Sequence, residues 1–105
     1  MLRIHDVMLD AISTMRPMVR AIERHDRDLA SQLKRAASSV VLNVAEGSGS
    51  FGGVRTQRYR TALGSARETM ACLLVAERFG YVEAMPAGLT AMMNRVIGTL
   101  VRVAA

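Results

Sequence analysis

Tryptophan is absent from this chain, and aromatic residues are limited to two Phe and two Tyr. A core built on large rings is therefore excluded, and eight Met beside abundant Ala, Leu and Val describe an aliphatic, adaptable one. The single cysteine, Cys72, rules out an internal disulfide and any Cys-based zinc site, and its place in the apolar run TMACLLVA reads as a small buried hydrophobe. Only two prolines interrupt the chain, and strand-like alternation is hard to find. No uncharged run approaches the roughly 18 residues of a membrane span. Asp6 and Asp10 stand where a secretory leader needs an apolar centre, so a cytoplasmic location is expected. Lysine is nearly missing too: of fourteen basic residues all but Lys34 are arginine, against nine acids, for a net charge of +5. That balance permits contact with nucleic acid or another polyanion, although arginine usage also follows the composition of a source genome.

What is present is helix-forming. The length fits one domain, residues 1–105, with a small core. Four helical segments are expected. The first covers about 3–24, where Ile4, Met8, Ala11, Met15, Met18 and Ile22 step by four and three. Pro17 predicts a kink, or a helix that begins afresh there. The second follows an aspartate cap at Asp26 or Asp28 and runs to about Glu46, with Gly47 as its stop. A glycine-rich loop is expected over 47–53. The third helix spans about 54–79, with a seam of Tyr59, Leu63, Ala66, Met70, Leu73 and Glu77, and Gly80 stops it. The fourth spans about 86–103 with a wide apolar face including Leu89, Met93, Val96 and Leu100. Four helices of similar length with short links predict an all-α, antiparallel up-down-up-down four-helix bundle.

The segment from Ala36 to Ala45 has no charge and a helical pattern. A helix without a charged face needs cover on more than one side, and a second copy of the chain is the expected cover.

The polar stripe of the second helix is the sharpest local signal. Gln32, Arg35, Ser39, Asn43 and Glu46 fall within an arc of about 80° beside the apolar set. On the third helix Ser65 and Glu68 lie one turn apart beside Gly64, a residue expected to let a neighbouring backbone approach. These six polar residues, Gln32, Ser39, Asn43, Glu46, Ser65 and Glu68, read first as a network that sets helix register, with Asn43 donating to Glu46 or Glu68. A ligand site is the second reading. The basic cluster Arg55, Arg58 and Arg60, with Lys34 and Arg35, reads as a set of phosphate contacts, with Tyr59 as a stackable ring, or as a solvated helix face. The glycine loop lacks the ending of a P-loop. His5 and His25 stand in no Glu-x-x-His pair, and no His lies on the central helices to activate a serine, so no metal, cofactor or catalytic residue is expected. An enzyme built on Asn43, Glu46 and Glu68 is the weakest class.

Gln32, Arg35, Ala36 and Ser39, then Asn43-Val44-Ala45-Glu46-Gly47, then Gly64, Ser65 and Glu68, then Phe79-Gly80-Tyr81, resemble the motifs of the 23S rRNA intervening-sequence protein family. Val44 replaces the usual Ile, Tyr59 stands where Phe is usual, and the loop is richer in glycine. The resemblance implies an antiparallel four-helix bundle assembling as a homopentamer. It also implies kinship with the accessory variability proteins of diversity-generating retroelements, basic bundles that bind nucleic acid and a reverse transcriptase. The expected function is thus a non-enzymatic, homo-oligomeric, nucleic-acid-associated scaffold or accessory factor. Its expected partners are further copies of itself, RNA or DNA, and a reverse transcriptase or other protein, with no membrane. A protein-interaction scaffold without a nucleic-acid role is the alternative.

Overall fold

The computed structural model describes residues 2–105. Among the described residues it forms four helices and no strand: α1 (Ile4–Glu23), α2 (Arg27–Ser48), α3 (Gly52–Arg78) and α4 (Ala87–Val103). The whole measures 42 × 25 × 19 Å, and the long dimension is that of α3.

All six residues of the α1 seam, Ile4 to Ile22, are buried. The helix passes through Pro17 without restarting. Pro17 and Ser13 both lie on the exposed side, so water can satisfy the Ser13 carbonyl that proline leaves without a donor. Asp26 begins α2: its Oδ1 accepts the Leu29 backbone N–H at 2.9 Å. Such a cap is worth about 1 kcal/mol.

The end of α2 differs from the sequence expectation. Gly47 lies inside the helix and is buried, and the helix continues to Ser48. A Cβ on Gly47 would sit 2.6 Å from Cε1 and 2.8 Å from Cδ1 of Tyr59. The glycine is there for close approach between helices, not to end one. The expected loop over 47–53 accordingly shrinks to three residues, 49–51, because Gly52 opens α3 with φ of +53°.

At the far end of α3 the stop signal is as read. Gly80 has φ of +78°, its N–H bonds Glu77 O at 3.0 Å, and the Tyr81 N–H bonds Ala76 O at 2.9 Å. This is a Schellman closure, which satisfies carbonyls the helix would otherwise leave open. Glu77, placed on the apolar seam from sequence, is half-buried and accepts the Met85 N–H at 2.9 Å. It tethers the α3–α4 link rather than filling the core.

The buried face of α3 is rotated from the expected seam. It runs through Tyr59, Ala62, Ala66, Thr69, Cys72, Leu73 and Ala76, while Leu63 and Met70 pack at its edge. Small residues dominate here and on α2, where Ala30, Ala36 and Ala37 are buried. The two helices share the most extensive contact in the molecule; α1 packs on α2 and α4, and α3 also packs on α4. The helices thus surround one core, with Met8, Met15, Ile22, Leu33, Leu73, Leu89, Met93 and Leu100 fully enclosed. Each such side chain contributes about 1.5–3 kcal/mol through burial. Thr69, the buried polar residue, donates its hydroxyl to Ser65 O at 2.8 Å.

Candidate functional site

The close pairing of α2 and α3 draws part of the polar stripe together. Ser65 Oγ donates to Ser39 Oγ at 2.7 Å across the two helices. Asn43 Nδ2 donates to Ser39 O at 2.9 Å and to Ser39 Oγ at 3.1 Å. Asn43 therefore turns back along its own helix and bonds Ser39 instead of Glu46 or Glu68. Glu46 reaches across to Arg58, whose Nη1 lies 2.8 Å from its Oε2. Close by, the Ser48 and Tyr59 hydroxyls stand 3.4 Å apart. Gln32 and Glu68 are exposed on the outer surface, apart from the serine–asparagine contacts. Among the described residues no buried side-chain polar atom lacks a hydrogen-bond partner.

Beside this line of contacts lies an open groove of about 430 Å³. Lys34, Arg35 and Arg58 border it as cations and Glu46 as its one acid. Ser38, Ser39, Asn43 and Leu42 complete it, and Leu42 is 61% exposed. Lys34 Nζ also lies 3.6 Å from Glu23 Oε2 on α1. Arg35 has no carboxylate at ion-pair distance among the described residues.

The other two arginines singled out from sequence lie away from the groove. Arg55 closes the end of α2, with Nε donating to Gly47 O at 3.1 Å and Nη2 to Ser48 O at 3.5 Å. Its guanidinium also stands 5.9 Å from the centre of the Phe51 ring. Arg60 Nε donates to Ala104 O at 3.1 Å, closing the end of α4. Cations at helix C-termini are favoured by the negative end of the helix dipole. Tyr59 is only 6% exposed, so it is a core ring rather than an open stacking surface. The exposed ring of this end is Phe51, which sequence reasoning passed over because it sat inside the supposed loop. Gly64 faces open space and brings no backbone close.

The remaining reactive groups are dispersed. His25 stacks on Tyr81 at 5.1 Å between ring centres, and Phe79 stacks on Tyr81 at 5.4 Å, at the end of the molecule opposite Phe51. His5 Nδ1 lies 3.5 Å from Asp6. Cys72 is buried, and burial first, then the negative charge of Glu68, pushes its thiol above the ordinary value. Among the described residues no three His, Cys, Asp or Glu side chains gather into a possible metal site. No helix there is long and apolar enough to cross a membrane.

The sequence profile of the 23S rRNA-intervening sequence protein family matches residues 7–101. The chain belongs to this family. A crystal structure from Bacteroides thetaiotaomicron, described as a protein of unknown function from the S23 ribosomal protein family, superposes with a TM-score of 0.77. It is 16% identical, and the match covers 96% of this chain and 97% of that one, so the fold is shared along nearly the whole length. No curated protein matches the chain. Family membership thus agrees with the motif on α2 and α3, whose residues Ser39, Asn43, Glu46 and Ser65 make the contacts described above.

Proposed function

We propose that this protein is a basic, non-enzymatic scaffold that associates with nucleic acid as a homo-oligomer in the cytoplasm. The observation that carries the reading is the groove between α2 and α3, which Lys34, Arg35 and Arg58 border with Glu46 as the one acid in its lining, Lys34 also meeting Glu23 on α1. A surplus of cations along an open groove suits a phosphate backbone. Arg55 and Arg60, beyond the groove, extend the positive surface. RNA or DNA titrated at several salt concentrations tests this directly. Binding that weakens steeply with salt supports it, and the absence of binding at low salt leaves the protein-interaction scaffold, with a reverse transcriptase among its possible partners.

The topology we infer is antiparallel, up-down-up-down. Its support is the pairing of Ser39 with Ser65 and Glu46 with Arg58, in which one number rises as the other falls. The links between consecutive helices in the first three are also short. For the assembly, two separate apolar patches provide the support. Leu9 and Leu42, with Ile12 and Val41, line a groove of about 310 Å³ between α1 and α2. Leu74, Val75 and Phe79 form another patch on α3, with Phe79 68% exposed. A ring needs two unlike, complementary surfaces, whereas a two-fold dimer needs one. The number five follows from the family resemblance, and light scattering measures it.

A further inference from the structure

A second basic groove lies on another side of the molecule, between the start of α1 and the last half of α4. It measures about 390 Å³ and is bordered by Arg3, Arg95 and Arg102, with no acidic residue among those lining it. Ile4, Asn94, Gly98 and Thr99 complete its lining. Arg102 Nη2 donates to Thr99 Oγ1 at 3.3 Å. Its Nη1 would be 3.9 Å from a Cβ on Gly98, so the guanidinium folds back along α4 toward Arg95. Among the described residues none of the three arginines has a carboxylate at ion-pair distance. Asp6, one turn along α1 from Arg3, lies beside His5 instead.

We propose that Arg3, Arg95 and Arg102 form a second binding groove, one that holds the phosphodiester backbone of a nucleic acid. The proposal rests on the nucleic-acid reading above and adds a contact surface that the α2–α3 groove does not contain. Three guanidiniums without a counter-charge repel one another and favour an anion that meets them together. Arg95 and Arg102 are two helical turns apart, about 10 Å along the axis. A strand rises about 3.4 Å per nucleotide, so an extended chain of phosphates can meet both while one isolated phosphate meets them poorly. Thr99 and Asn94 add neutral donors to phosphate oxygens. No aromatic residue borders the groove, so bases have nothing to stack on and binding is indifferent to sequence.

The test compares wild type, R95Q/R102Q and R95K/R102K, titrated with labelled single-stranded RNA and duplex DNA across a salt series. The glutamine pair should weaken binding and reduce the salt slope by about 1.4 for a single strand, or about 1.8 for duplex DNA, at two lost contacts. The lysine pair should retain the slope. RNA and DNA arms that differ in this loss identify which backbone the groove holds. A glutamine pair that binds with an unchanged slope overturns the second groove and leaves the α2–α3 reading standing. Wild type that binds neither probe at low salt overturns both. Arginine side-chain NMR signals that move with a poly-glutamate peptide but not with RNA would assign the groove to an acidic protein, and so overturn the proposal as well.

Discussion

Single glycines show how little a residue type says before its surroundings are known. Gly47 and Gly64 look alike in sequence, each inside a family motif. Gly47 is wedged against Tyr59, whereas Gly64 meets nothing within 4 Å. Alanine at 47 must push the Tyr59 ring or the helix aside, and its overpacking outweighs the gain in helix propensity. Urea unfolding should show G47A destabilised by about 1–2 kcal/mol and G64A stabilised by about 0.5–1 kcal/mol. Equal shifts in the two variants would contradict the packing assigned to Gly47. Cys72 gives a prediction in pH. Its thiol is raised in the folded state by burial and by Glu68, so the folded chain holds the proton more tightly than the unfolded one. The stabilisation is complete below the ordinary thiol value and is lost as pH rises through the raised one. Cys72→Ser should flatten that alkaline loss of stability, and iodoacetamide should label native Cys72 far more slowly than the urea-unfolded chain at the same pH.

Among the helices, the seam of α1 was legible because one stripe of six large or small apolar residues faces one core, although the helix does not begin afresh at Pro17. The α2 start was legible for a similar local reason: an aspartate beside the first turn has an obvious donor to accept. Asp26→Ala should lower stability by about 1 kcal/mol, while Asp28→Ala, beyond the cap, should cost less. Thermal unfolding of the two variants separates them. The face of α3 was harder to read. Ala, Thr and Cys carry much of its buried surface, and such small residues are neither strongly apolar nor strongly polar in sequence. Leu63 and Met70 drew the seam toward bulk, whereas contact with α2 selected for small residues beside Tyr59. The Glu46–Arg58 pair joining these helices is about half exposed, so its contribution to stability is small. E46Q should therefore shift the unfolding midpoint little, yet tighten RNA binding at low salt by removing the one acid from the α2–α3 groove. Weaker RNA binding in E46Q would count against that groove as the contact surface.

For the whole molecule, the question is what covers the apolar surface left outside. Leu42, Phe51, Val54 and Phe79 are each at least 60% exposed in the isolated chain. Leu42 and Phe79 lie on the two patches proposed to meet between copies. A carboxylate buried at such a contact is costly, while on a free surface it is nearly neutral. L42E and F79E should each shift light-scattering mass toward the monomer with helical circular dichroism retained. A wild type that is itself a stable monomer would remove the assembly reading, and unchanged mass in both variants would remove these patches from it. The net charge of +5 is repeated in every copy, so assembly would multiply the attraction for a polyanion.

The amino-acid sequence alone determined the helical class, the number of helices, the α1 seam, an aspartate cap at Asp26 or Asp28 and the Gly80 stop. These depend on periodicity and on hydrogen bonds within a few residues, which a linear pattern records. Only the tertiary structure decided that Gly47 lies inside a helix, that Asn43 bonds Ser39, and that Glu46 pairs with Arg58. It also decided that Arg55 and Arg60 close helix ends, and that Arg3, Arg95 and Arg102 border one groove. Each of these depends on which residue of another helix comes within a few ångströms. That distance is set by the size of the side chains packed between helices, and spacing along the chain does not encode it.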